Sequence, residues 1–264
     1  MASEVKTNKV SPAVGTDVIL GDASDTFTIP ASVTLDVNGT IDITGATATG
    51  FPSAGFAGVH VDVSGGSETY TVPSIAAGDP ADITKLVVFI TGGGGSGSAG
   101  TTAVGNGGGG GAAGTVIARV TVVAADTITI EIGAGGVATA DSSATAGNVG
   151  GNSTFTHASG SGSFDTITAP GGLGGVINGS QIGAPVAPTV GASNEGIAAK
   201  GGWGVLYTGA AGFWGGGGVQ GVHSADAATA GVAFGSGGGG GTYSSGLYAG
   251  AAGAVGSCFI MEFK

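Results

Sequence analysis

Residues 85–95 read KLVVFITGGGG, and residues 256–263 read GSCFIMEF. In the first stretch, Leu86 to Ile90 form an apolar run of strand length that breaks off into glycine, the pattern of a buried strand closed by a turn or loop signal. The second is a short apolar strand at the end of the chain, placed to pair near the first. Cys258, the only cysteine, falls inside it, where a buried and inert thiol is expected and no intrachain disulfide can form. Between these two strands lies most of the glycine of the chain.

The chain has 60 glycines in 264 residues, about three times the usual share. Glycine weakens helix and strand interiors alike, so a helical bundle or a doubly wound α/β enzyme is excluded as host. Disordered chains combine low hydrophobicity with high charge, whereas this one is 41% hydrophobic and 9% charged. Ten glycines lie in residues 1–80 and fifty in 81–264, so composition divides the chain near Asp79-Pro80 into a β-rich segment, 1–80, and a glycine-rich β domain, 81–264.

Working outward from residue 85, Val116, Ala118, Val120 and Val122 alternate with other residues, as do Ile128, Ile130 and Ile132, with Ala124-Ala125-Asp126 between them. The spacing predicts a hairpin. Thr154–Thr156 and Phe164–Thr168 are further strand candidates, whereas residues 171–256 hold almost no strand or helix former. Glycine runs occur at 92–95, 107–111, 215–218 and 237–241. Any one of them alone reads as a flexible linker. Four runs bounded by apolar strands read instead as polyglycine II, a threefold extended helix without internal hydrogen bonds, whose segments bond to one another when no side chain intervenes. Collagen is excluded, because glycine does not recur at every third position and proline is scarce.

On the amino-terminal side, Phe27, Ile29, Val33, Leu35, Val37, Ile41 and Ile43 keep one parity, and Val59, Val61, Val63, Tyr70 and Val72 resume the alternation. These are short strands with one apolar face. Asn38-Gly39 is a hairpin signal, and the constant parity suits a β-solenoid or an intertwined trimeric shaft equally. So few residues bury little surface alone, so association with identical chains is expected to complete their core. The fold class is therefore all-β with essentially no helix: a short-strand oligomerisation segment, then a small β framework, sandwich or barrel, carrying polyglycine II-like loops.

The formal net charge is −11, with six basic residues at Lys6, Lys9, Lys85, Arg119, Lys200 and Lys264. Cations scattered singly do not make a nucleic-acid footprint. No apolar run approaches a membrane span, and MASEVKTNKVSP lacks the apolar core of a signal peptide, so neither membrane insertion nor a secretion leader is expected. The three histidines, His60, His157 and His223, have no metal-ligand spacing. Gly105-x-Gly107-x-x-Gly110 fits the dinucleotide pattern only because it overlaps a pentaglycine, and no amphipathic helix follows it. Asp36-x-Asn38-Gly39 with Asp42 is a fragment of a calcium loop without its terminal glutamate, and Asp22 and Asp25 are turn formers. No catalytic residue, metal site or cofactor is expected. Large residues collect at Trp203, Tyr207, Phe213, Trp214, His223, Phe234, Tyr243 and Tyr248. Phe213 and Phe234 read as a minor core beside the glycine segments. Trp203, Tyr207, Trp214, Tyr243 and Tyr248 are the candidates for contact with a receptor, as amphipathic aromatics that stack on sugar faces or apolar protein patches.

The ordered series LVVFITGGGG, the pentaglycine, GTVIARVTVVAADTITIEIGAGG (114–136), GGNSTF (150–155) and GSCFIMEF resembles the glycine-rich domain of bacteriophage tail fibres and related virion proteins over roughly residues 83–264. GDASDTFTIPASVTLDVNGTIDITG (21–45) more weakly resembles the β-structured repeats of phage fibre shafts. The resemblance implies a virion component made in the host cytoplasm and released by lysis. It further implies a homotrimer held through its amino-terminal part, with neighbouring tail proteins as partners and the glycine-rich region turned toward a bacterial surface polysaccharide or outer-membrane protein. A shaft or decoration of architectural role is an alternative within that class. Outside it stand a self-assembling extracellular filament or surface-layer protein without a receptor and, lower in rank, an ice-binding protein.

Overall fold

Residue parity builds the framework. In β3 (Lys85–Thr91), Leu86, Val88 and Ile90 are fully buried on one face, while Val87 and Phe89 lie on the other. The computed structural model describes residues 55–74, 83–100, 105–140, 145–177, 187–205, 207–220, 227–242 and 248–264. The alternation from Phe27 to Ile43, the turn formers Asp22 and Asp25, the calcium-loop fragment, His223 and Tyr243 lie outside them. All described residues belong to one compact unit.

Two antiparallel sheets face each other across a core of Leu86, Val88, Ile90, Val116, Val120, Ile128, Ile130, Phe155, Ile167 and Ile260. The first sheet is ordered β1 (Phe56–Asp62), β9 (Ser257–Phe263), β3, β4 (Thr115–Thr121), β8 (Glu195–Ala199), and the second β2 (Gly66–Thr71), β5 (Thr127–Ile132), β6 (Ser153–Ser159), β7 (Ile167–Ala169). The framework is thus a sandwich, not a closed barrel, and the described residues contain no helix. As expected, the closing strand pairs with the opening one, Phe89 facing Phe259 and Ile90 facing Cys258. Each fully buried large aliphatic or aromatic side chain contributes about 1.5–3 kcal/mol. β1 and β2, which precede residue 81, are hydrogen-bonded to β9 and β5 respectively.

The expected hairpin is not formed. β4 pairs with β3 and β8, β5 pairs with β2 and β6, and the chain between them crosses from one sheet to the other. In a hairpin both apolar faces would lie on one side of a single sheet; in the arch they oppose each other across the core. Ala125, at φ 66°, makes the bend. Asp126 fixes it, its buried carboxylate accepting from the Val123 N–H at 2.8 Å and the Gly162 N–H at 3.1 Å. β1 and β2 are also joined across the sheets, through Gly65 and Gly66 in left-handed conformation. β8 arises in a stretch, Glu195-Gly196-Ile197-Ala198-Ala199, that has little strand propensity; its pairing with β4 supplies the order.

From one end of the sandwich the glycine segments continue the strands. Segment 92–100 prolongs β3, 133–139 prolongs β5 and 170–176 prolongs β7, while 107–114, 145–151 and 248–256 run back into β4, β6 and β9. Their hydrogen bonds have a period of three. The amides of Gly92, Gly95 and Ser98 donate to the carbonyls of Gly114, Gly111 and Gly108; those of Gly93, Ser96 and Ala99 to Gly151, Asn148 and Thr145; those of Gly94, Gly97 and Gly100 to Ala254, Ala251 and Tyr248, all at 2.8–3.1 Å. Carbonyls along the same segment accept from Gly172 and Gly175, from Gly136, and from Gly238 and Gly241. Segment 92–100 therefore sits among six neighbours, donating to three antiparallel ones and accepting from three parallel ones, as a threefold polyglycine II helix permits.

Close approach demands glycine here. A Cβ on Gly94 would stand 2.0 Å from the Ser236 carbonyl oxygen, and one on Gly110 2.1 Å from that of Gly95. The buried serines of the segment fit because their hydroxyls join the network: Ser96 Oγ accepts from the Asn148 amide at 2.7 Å, and Ser98 Oγ accepts from Gly108 at 2.8 Å and donates to the Val176 carbonyl at 3.0 Å.

Candidate functional site

The lattice has a near end, at the sandwich, and a far end. At the near end, strand alternation gives way to threefold geometry, and small buried hydroxyls occupy the seam. Thr91 Oγ1 and Thr115 Oγ1 are 2.9 Å apart, and Ser153 Oγ donates to the Thr91 carbonyl at 2.7 Å while accepting from the Gly133 amide at 2.9 Å. At the far end, contacts between Gly100 and Tyr248, Ala99 and Thr145, Gly107 and Gly241, and Gly108 and Val176 involve the ends of six segments. None of the segments 92–100, 107–114, 133–139, 145–151, 170–176, 235–242 and 248–256 contains a charged residue. The lattice is a neutral spacer held by backbone groups, and its far end is displaced from the sandwich along one direction.

The aromatic candidates are spread along this axis rather than gathered. Trp214 lies at the near end: its indole N–H donates to Thr91 Oγ1 at 2.9 Å, and its ring centroid is 5.0 Å from that of Phe259 and 6.4 Å from that of Phe89. Phe213 stands edge-on to Trp214, and Phe234 edge-on to Phe259. These rings cap part of the outer face of the first sheet. Trp203 lies midway, where Gly202 accepts from the Ala112 amide, and its side chain is 61% exposed. Tyr207 and Tyr248 are half-buried toward the far end, their carbonyls accepting from the Gly240 and Gly100 amides. Tyr207 holds a positive φ of 75°, uncommon outside glycine.

The outer face of the first sheet was not singled out by sequence reasoning. Strand register aligns Val61, Phe259, Phe89, Ile117 and Ile197 in one row across all five strands. The adjacent row runs through Val59, Met261 and Val87 and ends on the Arg119–Glu195 ion pair. Two shallow concavities lie on this face, one lined by Lys85, Val87, Arg119, Phe263 and Lys264, the other including Ile117, Glu195 and Ile197. The signal was present in the run Leu86–Ile90, which is apolar at both parities. By contrast, the outer face of the second sheet aligns Thr69, Thr129 and Thr156 in one row, and Ser67, Glu131, Thr154 and Thr168 in the next.

Among the described residues, burial and hydrogen bonding shift several titratable groups. Burial pushes the Asp126 carboxyl up, but amide donation from Val123, Gly162 and Ser161 and the neighbouring His157 prevail and hold it below the usual carboxylate range. Burial foremost, with the Asp62 and Glu68 carboxylates, raises the Cys258 thiol, which keeps it protonated. His60 approaches Glu68 at 3.2 Å, and the Tyr70 hydroxyl donates to Glu262 at 2.7 Å. Among the described residues no three His, Cys, Asp or Glu side chains are grouped to hold a metal ion, and no helix is long and apolar enough to cross a membrane.

A family model described as a glycine-rich domain matches residues 63–261. A search of the curated proteins finds no match.

Proposed function

The chain belongs to the glycine-rich domain family, and from that premise we propose that it is a non-enzymatic component of a bacteriophage tail fibre or similar virion appendage. In this reading it is made in the host cytoplasm, assembles as a homotrimer through its amino-terminal segment beside neighbouring tail proteins, and meets a bacterial surface polysaccharide or outer-membrane protein through exposed parts of the glycine-rich domain. The observation that carries the reading is the directed lattice: six segments continuous with six strands hold a neutral, backbone-bonded spacer away from the sandwich. A spacer of that kind suits a part that presents contacts at a distance from its anchor.

The test is binding of the purified full chain to intact bacterial cells, compared with Trp203→Ala and Tyr248→Ala variants. Trp203 is exposed and Tyr248 sits at the far end, so loss of binding by either supports contact along the lattice. Absence of binding by the wild-type chain to any host panel removes the receptor function. A filament former is the second reading, favoured by β1 and β8, which among the described residues stand at the two edges of the first sheet. Electron microscopy separates the two, open-ended polymers against discrete trimers or rods.

A further inference from the structure

The second sheet and the lattice share one face. β5, β6 and β7 lie side by side, and the segments that continue them keep that order, Gly151 donating to Ala134 and Gly150 to Gly172. β2, the fourth strand of the sheet, has no extension into the lattice: it begins at Gly66, where the chain arrives from β1. The outward period changes at the same height. Thr129 and Glu131 face out of β5 between the buried Ile128, Ile130 and Ile132, whereas beyond the seam the exposed Ala134 and Val137 stand three apart. A strand that stops beside a layer that continues leaves a recess, lined by Gly66, Ser67, Glu131, Ile132 and Asn152. A Cβ on Gly66 would meet nothing within 4 Å, so the space beside it is open. The recess measures about 320 Å³, at the small end of ligand sites, and it is shallow, so it suits one unit of a longer chain.

Its chemistry selects the ligand. Glu131 brings two acceptor oxygens, one of them receiving the Thr154 hydroxyl at 3.4 Å. Asn152 Oδ1 accepts from the Gly171 amide at 3.0 Å, which fixes the side-chain amide so that its nitrogen is the side left to donate. The exposed Ser67 hydroxyl both donates and accepts. A carboxylate, an amide donor and a hydroxyl match the adjacent hydroxyls of a sugar, which donate and accept in turn. Among the described residues the cations Lys85, Arg119, Lys200 and Lys264 each lie on a strand of the first sheet or immediately after one, so an anionic ligand here would meet Glu131 unopposed. The apolar lining is Ile132, itself 4% exposed, so an apolar ligand would gain little.

We propose that this recess is a subsite for a neutral saccharide unit, with Glu131 accepting from adjacent hydroxyls, Asn152 donating to a sugar oxygen and Ser67 completing the contact from β2. The proposal rests on the receptor part of the reading above and gives it a sugar class and a place apart from the lattice aromatics. A single shallow subsite without an aromatic platform binds in the millimolar range, and repeated units of a polymer met by several chains supply the remaining affinity.

The experiment is saturation-transfer NMR on the purified full chain with neutral hexose, deoxyhexose and N-acetylhexosamine oligosaccharides, and with uronic-acid oligosaccharides alongside. Transfer to a neutral set and none to the uronic set is expected, and titration of the strongest binder is expected to shift the backbone amide resonances of Ser67, Glu131 and Asn152. Glu131→Gln, and Asn152→Asp, which keeps the acceptor for Gly171, are each expected to raise the dissociation constant about tenfold. Lys85→Gln, on the first sheet, is expected to leave it unchanged. No transfer to any neutral set, preference for the uronic set, amide shifts confined to other residues, or an affinity unmoved by both recess variants overturns the proposal. If the wild-type chain still binds cells in that event, the receptor reading stands and the subsite alone falls; saccharide binding at the recess without cell binding does the reverse.

Discussion

A single methyl group probes the lattice. At Gly94 the added Cβ would lie 2.0 Å from a backbone carbonyl oxygen, whereas at Gly216 nothing stands within 4 Å. Gly94→Ala is therefore expected to cost about 3 kcal/mol or more, and Gly216→Ala to stay within about 0.5 kcal/mol of wild type, measured by denaturant unfolding. A second residue, Asp126, ties stability to pH. Its folded carboxyl is held below the usual range, so its contribution is present at neutral pH and is lost as pH falls through the folded value. Asp126→Asn is expected to lower stability at pH 7 by about 1–3 kcal/mol, and the gap to wild type is expected to close on acidification. A gap that stays constant with pH would show that Asp126 acts through shape alone. Asp126 was legible only as part of a turn, because its donors Gly162 and Ser161 come from a distant loop.

Elements were legible where one face alone is buried. The alternation in β4 and β5 located both strands to within a residue or two, and the run from Leu86 to Ile90 located β3. Their partners were not legible, because an arch and a hairpin share the same parity and differ only in whether the two apolar faces oppose or adjoin. β8 escaped notice because glycine and alanine at three of its five positions leave no hydrophobic period. The glycine runs at 92–95, 107–111 and 237–241 were legible as threefold segments, whereas the run at 215–218 begins in a tight turn that pairs Gly212 with Gly215. Their bonding partners follow from where the strands deliver them, which composition does not encode. The period of three has a measurable result. Deleting Gly109 alone rotates every later donor of segment 107–114 onto the wrong neighbour, so it is expected to lower the melting temperature by more than deletion of the triplet 109–111, which keeps donor directions. Backbone relaxation at 107–111 and 237–241 is expected to report motion as restricted as in β3; uniformly fast motion there would refute the lattice.

At the scale of the whole molecule, the described residues join two kinds of order without a linker between them. Because six lattice segments are covalent continuations of six strands, sandwich and lattice are expected to unfold in one transition, with calorimetric and van't Hoff enthalpies equal. Two separated transitions would mean that the seam at Thr91, Thr115 and Ser153 does not transmit cooperativity. The candidate site was legible as a set of residue types but not as a place: Trp214 lies at the near end, Trp203 midway, and Tyr207 and Tyr248 toward the far end. The same geometry fixes how the molecule bears load. A pull on the far end acts along the segments, while their hydrogen bonds run crosswise between them. Those bonds are then strained together in shear instead of parting one after another, which makes the spacer a tether whose toughness grows with its length.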